Sequence, residues 1–182
     1  MEVLIVVVVL VVVVVWFVAG YNGLVKRRNA VENGWAAIDV QLTRRHDLIP
    51  NLVETVKGYA SHERETLDAV TQARAKAMAA TGPRESAQAE SALSQALFGL
   101  RAVAEAYPDL KANQNFAQLQ GELTATEDRI AGARQGYNNL VRDYDTRRQS
   151  IPTNIIAGIA KFKSFEYFEA DPDSRSPVEV EF

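Results

Sequence analysis

The chain has 182 residues, a formal net charge of −3 and no cysteine. The missing cysteines exclude disulfides, thiolate metal sites and cysteine nucleophiles and leave the redox compartment undetermined. The mildly acidic balance offers nothing to a nucleic-acid backbone, so no nucleic acid is expected as a partner.

Residues 3–19 form an apolar run rich in Val, with no charge and no Pro. At about 1.5 Å per residue a helix over this run spans about 25 Å, close to the hydrocarbon thickness of a bilayer, and Gly20 and Tyr21 extend it toward the headgroups. Val favours strands in water, but a lone strand in hydrocarbon leaves its backbone unpaired, whereas a helix pairs it internally. Trp16, Phe17 and Tyr21 stand at the end of the run, where amphipathic rings favour the interface. A cleaved signal peptide calls for a basic start and a small-residue exit; here Glu2 precedes the run and the exit reads Trp16-Phe17-Val18-Ala19-Gly20. A buried helix of a soluble protein is the other alternative. The run is taken as an uncleaved, single-pass transmembrane anchor over residues 3–21, with the bilayer as a partner. Lys26, Arg27 and Arg28 follow it, so the positive-inside rule assigns the cell (inner) membrane with the C-terminal body in the cytoplasm.

About 160 residues remain for one ordinary domain. Leu24, Arg28, Val31, Trp35, Ile38, Leu42, Arg45 and Ile49 fall at alternating steps of four and three, the seam of an amphipathic helix joined to the anchor through Gly20 and Gly23, where a kink is expected. Asp47-Leu48-Ile49-Pro50 reads as a helix end and restart, because Pro suits a first turn and restrains its predecessor. A second seam then runs through Val53, Val56, Ala60, Glu63, Leu67, Val70, Arg74 and Ala77. Thr81-Gly82-Pro83 marks a loop. The third seam is Ala89, Leu93, Ala96, Leu100, Val103 and Tyr107, closed by Pro108. The fourth, over residues 113–149, repeats Phe116, Leu119, Leu123, Thr126, Ile130, Ala133, Tyr137, Leu140 and Tyr144. The expected fold is all-α: the transmembrane helix, then an antiparallel bundle of about four long helices over residues 22–160. The heptads also suit an intermolecular coiled coil, and the alanine-rich, thin core favours self-association, so further copies of the chain are expected partners.

Residues 161–182 read as an aromatic arm, with Phe162, Phe165, Tyr167 and Phe168, and an acidic tail. The arm and the apolar patch of Ile155, Ile156, Ala157 and Ile159 either fold over the bundle end or meet the membrane interface or another subunit. The last five residues alternate like a strand.

No catalytic constellation is complete. His62-Glu63 begins like a zincin helix, but Thr66 stands where the second His belongs. Thr43, three residues before His46, breaks the Glu-x-x-His pattern of di-iron bundles. Glycines are scattered, with no phosphate-cradling run, and no local pattern supplies a serine with a base. No metal or other cofactor, and no enzyme activity, is expected. The charges on or beside the seams, Arg45, Glu63, Arg74, Glu127 and Arg134, read as a structural polar network that fixes helix register, since buried charge is tolerated when paired and hydrogen-bonded. A ligand or partner pocket and plain surface charge are the alternatives.

Several ordered words resemble the LemA family: Tyr21-Asn22, Arg28-Asn29, Ile38-Asp39-Val40-Gln41-Leu42, Asp47-Leu48-Ile49-Pro50-Asn51-Leu52-Val53, Val56-Lys57-Gly58-Tyr59, His62-Glu63, Ala104-Glu105-Ala106-Tyr107-Pro108-Asp109-Leu110, Tyr137-Asn138 and Ile151-Pro152. Asp145, Leu100 and Ser164 depart from the family's usual Asn, Arg and Pro. The resemblance implies a bacterial membrane-anchored helical protein with no established catalytic residues. It also implies envelope functions, in some members alongside a membrane metalloprotease or a TPM-domain protein, which makes such proteins candidate partners of a scaffold or adaptor.

Overall fold

The computed structural model describes residues 1–169, and every regular element in them is a helix. They are α1 (Glu2–Lys57), α2 (Arg64–Ala79), α3 (Gly82–Ala106), α4 (Pro108–Lys111), α5 (Gln114–Gln149) and α6 (Thr153–Ile159). The class is all-α, with one long apolar N-terminal helix and a bundle in which α1, α2, α3 and α5 are the long members. The acidic tail and the alternating final residues lie outside the described residues.

The described residues divide into two compact units, one made of Met1–Ala36 with Gln135–Phe165 and the other of Ala37–Arg134 with residues 166–169. α1 and α5 each contribute to both.

In the first unit, residues 3–15 leave their Val, Leu and Ile side chains at least half exposed, so the run packs against nothing else among the described residues. α1 is the one helix among the described residues long and apolar enough to cross a membrane. Helix continues through Gly20 and Gly23 into the body without a break. From there the expected seam buries Leu24 and Val31, while Arg28 turns outward and pairs with Glu32 at 2.9 Å. α5 answers with Tyr137, Val141 and Tyr144, all fully buried. Trp35 and Tyr137 meet with their rings tilted by 60°, 5.8 Å between centroids. A Cβ at Gly34 would meet Leu140 Cδ1 at 2.8 Å and push that side-chain tip aside.

The second unit has one apolar core. Ile49, Leu52 and Val56 of α1 meet Leu67 and Val70 of α2, Leu93 and Leu100 of α3, Leu110 of α4, and Phe116 and Leu123 of α5. Local chemistry sets the element ends. Asn113 Oδ1 accepts from the Phe116 N–H at 3.0 Å, capping α5. Glu85 reaches back to the Thr81 N–H and hydroxyl, both at 3.0 Å, at the start of α3. Gly82, at φ 78°, occupies a conformation that a side chain would strain.

The expected break at Pro50 is absent. Pro50 lies inside α1, and the chain leaves the helix only after Lys57, at Gly58 and Tyr59. A proline within a helix deprives the carbonyl four residues earlier of its donor. Here that carbonyl is His46, and the Arg74 Nε–H donates to it at 2.7 Å. With the orphaned acceptor satisfied from α2, the helix can continue. The turn thus falls where Tyr59 and Ala60 both donate to the Val56 carbonyl, at 3.0 and 2.8 Å.

Candidate functional site

The seam charges of the second unit build the site around Arg45. Its side chain is 4 % exposed, and the Glu90 side chain facing it 7 %. Arg45 Nη1 donates to Glu90 Oε2 at 2.7 Å, and Nη2 to Ser94 Oγ at 2.8 Å and to Glu127 Oε1 at 3.0 Å. His46 Nε2 lies 2.6 Å from Glu90 Oε1, so each oxygen of that carboxylate has its own partner. Three helices are joined by charge-assisted bonds, the strong class of hydrogen bond. Arg45 and His46 come from α1, Glu90 and Ser94 from α3, Glu127 from α5.

Of the residues singled out in the sequence, Arg45 and Glu127 meet here. Arg74 reaches the same stretch of α1 through the His46 carbonyl. Glu63 does not join them: its Oε1 accepts from the Tyr107 hydroxyl at 3.2 Å. That contact and burial hold the Tyr107 phenol above its usual value, burial being the larger cause. Arg134 is exposed and lines a neighbouring cleft.

Glu90 and Ser94 were missing from the sequence reading, and His46 was weighed there only as a metal ligand. A usable signal existed, because Ser86, Glu90, Leu93, Leu97, Leu100 and Ala104 also step by four and three. The buried stripe of α3 follows this line, with Ser86, Glu90, Leu93, Leu100 and Ala104 all buried, whereas Ala89, Ala96 and Val103 of the expected seam are half-buried. The expected seam took Ala89 for Glu90, Ala96 for Leu97 and Val103 for Ala104, one residue off at alternate steps.

Two hollows flank the cluster. A cleft of about 380 Å³ is lined by Arg45, Ser94 and Glu127, by Arg101 and Arg134, and by apolar groups including Leu97, Phe98 and Phe116. A smaller one of about 160 Å³ is lined by His46, Asp39, Asp47 and Ser86. Among the described residues no three His, Asp or Glu side chains converge as a metal site. A general base needs a free lone pair within reach of its substrate. Glu90 is buried with both oxygens engaged, so its geometry suits holding helices in register.

The model of the LemA family matches residues 34–182. The chain belongs to the LemA family. It is similar to Protein LemA of Metamycoplasma hominis, with 26% identity over 165 residues that cover 90% of this chain and 75% of that protein. It is also similar to Magnetosome protein MamQ 2 of Paramagnetospirillum magneticum, at 27% identity over 87% of this chain and 68% of that protein. Magnetosome protein MamQ of Magnetospirillum gryphiswaldense matches at 24% identity with the same coverage. Within this LemA-family chain, the Asp47-Leu48-Ile49-Pro50 word that suggested the family adjoins the Arg45 cluster: His46 bonds Glu90, and Pro50 frees the carbonyl that Arg74 caps.

Proposed function

We propose that this LemA-family protein is a membrane-tethered, non-enzymatic scaffold or adaptor of the bacterial envelope that presents a helical body and associates with copies of itself. The observation that carries the reading is the continuity of α1, whose bare apolar residues 3–19 pass without interruption into the helix that carries Arg45 and the core of the body. The apolar run and the start of the body thus belong to one helix. The Arg45–Glu90–His46 cluster supports the reading, because both Glu90 oxygens are taken by side chains of the bundle itself, while Arg45 Nε is left without a partner among the described residues. Lys26, Arg27 and Arg28 favour a cytoplasmic body, and the family resemblance favours membrane proteins, such as a metalloprotease or a TPM-domain protein, as clients. An impermeant maleimide applied to spheroplasts carrying Met78→Cys should leave the exposed residue 78 unlabelled until lysis; labelling of intact spheroplasts reverses the orientation.

A second reading, a ligand-binding sensor or enzyme, is favoured by the 380 Å³ cleft with its three arginines, a volume within the range of small-molecule sites. Native mass spectrometry of the detergent-solubilised full chain separates the two. The scaffold reading expects a uniform oligomer without a bound small molecule, and a strict monomer carrying a stoichiometric ligand contradicts it.

A further inference from the structure

α6 is seven residues long and amphipathic in an unusual way. Ile156 and Ala157 are buried, while Ile151, Ile155 and Ile159, spaced by four, are 83%, 57% and 66% exposed. Ile155 and Ile159, four apart, fall on one face of α6, Ile151 stands in the turn just before it, and none of the three has protein to cover it among the described residues. Their place in the first unit is fixed by two contacts with α1. Ile156 packs into the space left by Gly20, where a Cβ would collide with it, and Phe162 sets its ring edge-on to Tyr21 at 5.6 Å between centroids. Gly20 and Tyr21 are the residues at which the apolar run ends. The exposed isoleucines are therefore held beside the mouth of the candidate membrane span.

Charge accompanies them. Residues 150–165 contain Lys161 and Lys163 and no acidic residue. Both lysines are exposed, and Lys26 of α1 is exposed as well. Arg27 and Arg28 are engaged with Asp143 and Glu32, each at 2.9 Å. The two lysines, Arg28, Tyr21, Tyr144 and Phe165 line a pocket of about 390 Å³. The arm is tied down: the Tyr144 hydroxyl donates to the Lys163 carbonyl at 2.7 Å, and Tyr144 and Phe165 meet edge-on at 5.2 Å. The turn that ends α6 carries a six-to-one bond from the Phe162 N–H to the Ala157 carbonyl at 2.9 Å, with Lys161 at φ 55° in the left-handed position usual for glycine. A cation thus occupies a backbone position that glycine would fill with less strain.

We propose that residues 151–165 form an interfacial foot, seated on anionic phospholipid of the bilayer that α1 crosses. Ile151, Ile155 and Ile159 enter the boundary between headgroups and acyl chains, and Lys161 and Lys163 meet lipid phosphates. The proposal rests on the anchor reading given above. An apolar face and basic residues together at the headgroup level are the combination by which short helices lie in a membrane interface, and basic groups there are drawn to anionic lipid.

Because the chain has no cysteine, full-length Val12→Cys and Ile159→Cys variants each accept one environment-sensitive fluorophore. Both are reconstituted into phosphatidylcholine vesicles with or without phosphatidylglycerol, carrying nitroxides either near the headgroup or deep in the acyl chain. The label at position 12 should be quenched by the deep nitroxide in both lipids. The label at position 159 should be quenched by the shallow nitroxide, more so with phosphatidylglycerol. Lys161→Glu with Lys163→Glu should abolish that gain, and inorganic phosphate in the buffer should leave it intact. A label at 159 that stays water-exposed while position 12 is quenched overturns the foot and leaves the anchor standing. A label at 159 shielded from aqueous iodide yet unquenched by lipid marks a protein neighbour and overturns the foot equally. Equal quenching in the two lipids, or competition by free phosphate, overturns the assignment to anionic lipid, and no quenching at position 12 removes the anchor and the foot together.

Discussion

Arg74 donates from Nε to the His46 carbonyl at 2.7 Å, and His46 is the residue whose carbonyl Pro50, four positions on, has no N–H to serve. One side chain of α2 thereby repairs the defect that a proline makes in α1 and ties the two helices together. A half-buried acceptor left without a partner costs about 1–3 kcal/mol. Arg74→Ala should lower the stability of the full chain in detergent by that amount. Pro50→Ala in the same background should restore most of it by returning the N–H donor, while Pro50→Ala alone leaves Arg74 with little to do. A double-mutant cycle in chemical denaturation measures the coupling, and strictly additive effects would show that Arg74 does not cap the carbonyl.

Arg45 of α1 and Glu90 of α3 form a buried ion pair at 2.7 Å. Glu90→Ala leaves a buried guanidinium with only the half-exposed Glu127 to balance it, and should destabilise by about 3 kcal/mol, whereas Arg45→Met with Glu90→Leu should recover most of the loss. Thermal melts of the two variants check this. A double variant no more stable than Glu90→Ala would mean that the charges do more than satisfy each other.

The helical periods were legible in the sequence because apolar residues at steps of three and four need no tertiary information. Leu24, Val31, Ile38, Leu42 and Ile49 are buried as that spacing predicts. What escaped was decided by side chains from elsewhere in the chain. Pro50 breaks a helix in isolation, and only Arg74, on a different helix, reverses that outcome. Glu90 is a poor core residue on its own terms, and Arg45 with His46 makes its burial tolerable. Glu63, by contrast, looks like Arg45 in the sequence, a charge on a seam, yet the turn after Lys57 takes it to Tyr107 and away from the cluster. Spacing identifies which face of a helix is buried, but it does not identify which charge meets which.

The Glu63–Tyr107 pair has a pH signature. Burial and the nearby carboxylate raise the Tyr107 phenol above 10.0, so the folded state holds its proton more tightly than the unfolded state does. The resulting stability is fully present below the unfolded value and is lost as pH rises through the higher folded one. The difference in denaturation midpoint between the native chain and Tyr107→Phe should be flat through neutral pH and should shrink above pH 10.0. Glu63→Ala should cost less stability than Glu90→Ala, its partner being a neutral hydroxyl. A difference that grows with alkalinity would contradict the assignment.

Alkaline carbonate extraction tests directly whether α1 holds the helical body to a bilayer, since it strips proteins held at the surface and leaves those that span the membrane. The full chain should remain in the membrane pellet, and a chain beginning at Leu24, which keeps the helical body but lacks the apolar run, should appear in the wash. Recovery of both chains in the wash would contradict the account, because the exposed run of residues 3–19 would then need another partner.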